Sequence, residues 1–176
     1  MTKWKIILVC SGCFLVTGTA WAGSGLLKAR ADIMDPAGKI IGTATLSEQK
    51  EGVQVALKVS GLSPGKHGFH FHEKGSCTPP DFKSAGDHFN PFHRQHGSKN
   101  PAGKHAGDLP NLEVKEDGTA EVTVLATGTT LRDGHGSLLK EGGTAMVIHA
   151  QPDDYASNPA GNAGPRVACG VVVKAK

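Results

Sequence analysis

The chain has 176 residues, with 19 lysines and arginines against 16 acidic side chains, 24 glycines and only 5% aromatics. That is the length of one domain. Its first 22 residues hold Lys3 and Lys5 and no acid, so the remainder carries 17 basic against 16 acidic groups, which gives no basis for binding nucleic acid or an anionic membrane.

Met1 to Lys5 is basic, Ile6 to Thr19 is apolar or small, and Ala20-Trp21-Ala22 is a small-x-small site. This layout predicts a secretory signal peptide over 1–22, cleaved after Ala22, and a mature domain over 23–176. The apolar run is shorter than a membrane span requires. Export to the periplasm is the expected destination. Lipoprotein processing at Cys13 is the alternative, but Val9-Cys10-Ser11-Gly12 lacks the usual apolar residue three before the cysteine. With Cys10 and Cys13 gone, Cys77 and Cys169 form an even pair in an exported chain and read as a disulfide. Closing a loop of about 90 residues is worth roughly 4 to 5 kcal/mol in the chain-entropy account.

Strands dominate the rest. Lys28–Met34 and Ile40–Leu46 look like strands, separated by the turn residues Asp35-Pro36-Ala37-Gly38. Val53, Val55, Leu57 and Val59 alternate with Gln54, Ala56 and Lys58, the period of a half-buried strand. Ser63-Pro64-Gly65 turns the chain into a strand over Lys66–Glu73, and further strands are predicted over Thr119–Ala126, Thr144–His149 and Arg166–Val173. No segment keeps a helical period. About eight short strands with Gly/Pro turns point to an all-β antiparallel sandwich or flattened barrel. Two stretches, Gly75–Leu112 and Gln151–Pro165, are too long for passive connections. The first is too polar to order itself by burial, and a bound metal could order it.

Seven of the nine histidines fall in the span from His67 to His105, followed by Asp108. In a strand, His70 and His72 share one face and Phe69 and Phe71 the other. His88, His96 and His105 follow in the long loop. Imidazoles with one carboxylate suit zinc, and a nearly all-imidazole set suits copper. His149 ends the apolar run Ala145-Met146-Val147-Ile148. The loop after it carries Asp153, a carboxylate able to accept from metal-bound imidazoles.

Four segments, Gly68-Phe69-His70-Phe71-His72-Glu73, Ser84 to Pro91, His105-Ala106-Gly107-Asp108-Leu109 and Gly161 to Gly170, together make the chain resemble the copper–zinc superoxide dismutases from about Leu26 to Val173. The resemblance implies a Greek-key arrangement of the strands, one copper and one zinc per subunit, and superoxide as substrate. It implies copper ligands His70, His72, His88 and His149, and zinc ligands His88, His96, His105 and Asp108, with His88 shared between the metals and carrying a proton during turnover. Asp153 would link His70 to His96, and Arg166 would attract the anion at the copper. Cys77 would bond Cys169, and His67 would be structural. His93 and His135 match no ligand position. The 151–165 loop is shorter than in the family's eukaryotic members and lacks their lysines and glutamates, so Lys99 and Lys104 become candidates for steering. Monomer and homodimer are both left open.

Overall fold

The computed structural model describes residues 26–175 together with Met1. The expected signal peptide, with Cys10 and Cys13, lies outside the described residues. Ten strands follow in order: β1 Lys28–Met34, β2 Ile40–Gln49, β3 Gly52–Val59, β4 Gly65–His67, β5 Phe69–His72, β6 Leu112–Val114, β7 Ala120–Thr127, β8 Ala145–His149, β9 Arg166–Val171 and β10 Val173–Lys174. Among the described residues the only helical element is a 3-10 turn, Lys83–Ala85.

Every strand pairing is antiparallel. The larger sheet runs β5-β8-β9-β1-β2-β3-β7, with β10 on β1, and a separate ribbon joins β4 to β6. Since β4 and β5 are consecutive and β6 lies against β7, the ribbon closes the curled sheet into a flattened barrel. Chain order departs from spatial order after β3 and again after β7, which is the Greek-key crossing.

The expected strand over Lys66–Glu73 divides at Gly68, for a physical reason. Gly68 gives its N–H to the carbonyl of Gln151 and accepts the N–H of His149, so the strand changes partners there. β4 pairs with β6 and β5 with β8. A Cβ at Gly68 would press on Ala163 and on the ring of His70. β6 occupies the end of what sequence patterning assigns to loop.

Alternation fills the barrel. Ala29, Ala31, Ile33, Val53, Val55 and Leu57 point inward, joined by Phe69 and Phe71 of β5 and by Met146 and Ile148 of β8. The residues between these last four face outward, and they are His70, His72, Ala145 and Val147. A smaller outer cluster of Phe82, Ala85, Ala145, Val147 and Cys169 covers part of that face.

The Cys77–Cys169 disulfide is present and spans 92 positions. It ties the start of the long loop to β9. The Cys77→Ser/Cys169→Ser protein should unfold in denaturant with about 4 kcal/mol less stability than the oxidised parent. Equal midpoints and slopes for the two proteins would show that the cross-link does not carry that share.

Candidate metal centre

Two stretches of the long 75–112 loop dock on the free edge of β5. The Phe71 N–H donates to Gly107 O (2.9 Å), the Gly107 N–H to Phe89 O (2.8 Å) and the Phe89 N–H to Phe71 O (2.8 Å). This triangle sets His88 opposite His72 and Asp108 opposite His70. Gly107 has to be glycine, because a Cβ would strike Phe71 O. Contrary to the sequence expectation, the loop has apolar anchors of its own. Phe82, Phe89 and Leu109 are buried within it.

The first cluster is His70, His72, His88 and His149, with ligand atoms all within 4.8 Å of one another. Each outer nitrogen has an acceptor. His70 Nε2 donates to Asp153 Oδ2 (2.8 Å), His72 Nδ1 to Gly86 O (2.9 Å) and His149 Nδ1 to Gly164 O (3.0 Å). With the protons on those nitrogens, the inner ones carry lone pairs, the state a metal ligand requires. His72 Nε2 and His149 Nε2 stand 3.4 Å apart. His70 Nδ1 and His88 Nε2 are buried with no hydrogen-bond partner. Two buried orphan nitrogens in one cluster are costly unless a cation sits between them.

The second cluster is His88, His96, His105 and Asp108. Asp108 Oδ1 lies 2.9 Å from His88 Nδ1, 3.1 Å from His96 Nδ1 and 3.3 Å from His105 Nδ1, and the last is 3.5 Å from His88 Nδ1. Four donors about 2.0–2.1 Å from a tetrahedral ion stand about 3.3 Å from each other, so these spacings fit zinc. Asp108 Oδ2 accepts the N–H groups of Gly97 and His105, which turns Oδ1 toward the imidazoles.

Asp153 joins the two clusters. It is buried and accepts His70 Nε2 on one oxygen (2.8 Å) and His96 Nε2 on the other (3.0 Å). Burial raises its pKa, but the hydrogen bonds of His70 and His96 outweigh this and keep it well below the usual carboxylate range. A Cβ on Gly161 would collide with Asp153 Oδ1 and crowd His96 Nε2, at a backbone φ of 64°. Only glycine suits that position.

Arg166 reaches the first cluster through a bulge. Val147 pairs with Cys169 and Ile148 with Ala168, then the register slips so that His149 faces Arg166. Regular pairing would have set Val167 there. The extra residue leaves Val167 packed on the barrel core and turns Arg166 to the histidine side. Its Nη1 donates to Phe82 O and its Nη2 to Gly86 O, both at 2.7 Å. Gly86 O therefore serves both Arg166 and His72.

His67 bonds the main-chain carbonyl of His149 (2.7 Å) and is buried, and its ring belongs to neither cluster. His93 and His135 are exposed. Lys104 Nζ donates to Asp108 O, and Lys99 Nζ to Asp154 O, so both lysines brace loops. Sequence reasoning missed Asn111, Tyr155 and Asn158. Asn158 Oδ1 accepts the His96 N–H at 2.8 Å. No motif marks any of the three.

The copper/zinc superoxide dismutase family matches residues 40–172. The chain is 48% identical over 170 residues to superoxide dismutase [Cu-Zn] 2 of Aquifex aeolicus, covering 96% of this chain and 98% of that one. The crystal structure of a superoxide dismutase-like protein from Bacillus subtilis superimposes with a TM-score of 0.80 at 43% identity, over 82% of this chain and 97% of that one. The copper/zinc superoxide dismutase of Brucella abortus gives 0.66 at 32% identity, over 83% and 99%.

The metal-free centre is sensitive to acid. Burial is the first cause that lowers His72 to about 2 and His88 and His149 to about 4. Between the ordinary value of 6.5 and about 4, the unfolded chain binds protons that the folded chain refuses, so stability falls with pH. His96 opposes burial through Asp108 and Asp153 and rises to about 9, so its contribution is complete below 6.5 and does not change in this window. Thermal melts of chelator-stripped protein should show Tm dropping steadily from pH 6.5 to 4.5. A flat profile would contradict these burial effects.

Proposed function

The chain belongs to the copper/zinc superoxide dismutase family, and we propose that it disproportionates superoxide at a centre where His70, His72, His88 and His149 hold copper and His88, His96, His105 and Asp108 hold zinc. The pair of unpartnered buried nitrogens, His70 Nδ1 and His88 Nε2, carries this reading. With His72 and His149 they form an all-imidazole set suited to copper. The zinc set already has four protein donors and no vacant position, the mark of a structural rather than hydrolytic zinc.

Two superoxide anions and two protons become one oxygen and one hydrogen peroxide. Copper, when bound, supplies the one-electron cycling between two oxidation states, which zinc cannot provide. The residues provide the rest. Arg166 is the fixed positive charge beside His149, and its guanidinium keeps further N–H groups beyond the two given to Phe82 O and Gly86 O. Such a charge draws in a small anion, superoxide dismutase being itself a familiar case of electrostatic steering. His88 lies between the clusters. Its Nε2 faces the first, where it can hold a proton for the forming peroxide, while Nδ1 stays 2.9 Å from Asp108. Asp153 keeps the rings of His70 and His96 in fixed orientation.

Residues 1–22 serve in this reading as an export leader removed after Ala22. The domain over 23–176 then works in the periplasm, an oxidising compartment in which the Cys77–Cys169 disulfide persists.

A copper- and zinc-binding module without turnover is the second reading. It gains support from the Bacillus subtilis likeness, which is described only as superoxide dismutase-like. A superoxide assay with and without added copper, run beside metal analysis, separates the two. Activity should track copper content at constant zinc, and a fully loaded protein that fails to dismutate would select the module. Arg166→Ala should lower kcat/KM several-fold with copper and zinc content unchanged, and should weaken its dependence on ionic strength. An unaltered kcat/KM across salt concentrations would remove Arg166 from the substrate's path.

A further inference from the structure

The loop over 151–165 meets the zinc-side loop through the chain's single tyrosine. Tyr155 holds a left-handed backbone, φ 67°, a conformation an L-residue adopts only when its surroundings hold it there. Its N–H donates to Asp153 Oδ1 at 2.6 Å, on the same oxygen that accepts His96 Nε2. Its carbonyl accepts the Lys99 N–H at 3.0 Å. Its phenolic oxygen accepts the Asn111 N–H at 2.8 Å. Lys99 Nζ lies 5.4 Å from the ring centre.

Asn111 returns the connection to Asp153. Its Oδ1 accepts the Asp153 N–H (2.8 Å) and its Nδ2 donates to the Asp153 carbonyl (2.9 Å). The three residues therefore close a circuit, Asp153 to Tyr155 to Asn111 and back to Asp153. The outer side of this circuit is a cavity of about 290 Å³, lined by Tyr155 with Leu109, Pro110 and the zinc-set residue Asp108. A carboxylate that must serve two imidazoles at once, at 2.8 and 3.0 Å, tolerates little rotation. His70 is fixed on β5, but His96 sits on a loop, and its imidazole alone does not prevent that loop and the 151–165 segment from drifting outward together. The circuit supplies that restraint, because Asn111 leads directly into β6 and so belongs to the barrel.

We propose that Tyr155 is a positioning residue for this centre. Through its phenol on Asn111 it fixes Asp153 against the barrel, and so governs both zinc retention at His96 and the orientation of the His70 ring toward copper. The proposal rests on the metal assignment of the preceding subsection, and the experiment tells the two apart.

Tyr155→Phe keeps the ring and the main chain and removes only the oxygen that accepts from Asn111. In protein loaded with copper and zinc, zinc transfer to a colorimetric chelator should quicken about three- to tenfold, the range expected for one lost hydrogen bond. The visible band and the electron paramagnetic resonance signal of the bound copper(II) should shift with it. In an Asp153→Asn background the same change should have no further effect, because Tyr155 acts through that carboxylate. A tyrosine that merely supports the fold would act equally in both backgrounds, and would lower the metal-free melting temperature without moving the copper spectrum. Zinc release unchanged in Tyr155→Phe, or an equal effect in both backgrounds, would overturn the proposal alone. A parent protein that takes up no zinc would overturn the metal assignment and this proposal with it.

Discussion

One buried carboxylate organises this molecule. Asp153 sits on a loop, His70 on a barrel strand and His96 on a second loop, and each imidazole comes within 3.0 Å of one of its two oxygens. A buried anion without partners would be untenable, and two imidazole N–H groups with the main-chain N–H of Tyr155 make it tolerable. In exchange it dictates which ring nitrogens carry protons. Once His70 Nε2 and His96 Nε2 are committed to Asp153, only the opposite nitrogens remain to face an ion. The chemistry of both clusters follows from that commitment.

The loops can serve the carboxylate because they come very close to each other and to β5. Gly161 beneath Asp153 and Gly107 against Phe71 permit approaches that any side chain would block. The remaining hold is apolar and covalent. Phe82 and Phe89 plug into the barrel's outer and inner clusters, and Cys77 is bonded to Cys169. The proposed ligands on loops are thereby pinned to the strand frame, the precision that a metal site demands.

Much of this was legible in the residues, and the exceptions share a cause. Alternation defined β3, and β1 less cleanly, because inward and outward positions differ in side-chain type there. The ligand types stood out because histidine is rare enough for seven in a short span to mean something. The break at Gly68 was hidden, since a change of strand partner is a property of the neighbouring segments and a single glycine does not announce it. β6 was hidden because Leu112-Glu113-Val114 is too short for a period to show. The side of the barrel to which Arg166 points depends on a slip between β8 and β9, a property of two segments at once. Phe82 and Phe89 looked isolated in a polar stretch, although their burial is what anchors it. Asn111 and Tyr155 direct their side chains to main-chain atoms, which every residue has, so no partner side chain in the sequence pointed to them.

β5 has four residues, all buried, yet its two faces answer to different demands. Phe69 and Phe71 belong to the interior that keeps the barrel folded, and His70 and His72 to the centre outside it. Heritable change can therefore act on the two almost separately. Loops on the outer face can be shortened, recharged or exchanged while the interior preserves the frame on which they are read. A lineage carrying this barrel can lose, retune or regain its chemistry without first having to invent a new fold.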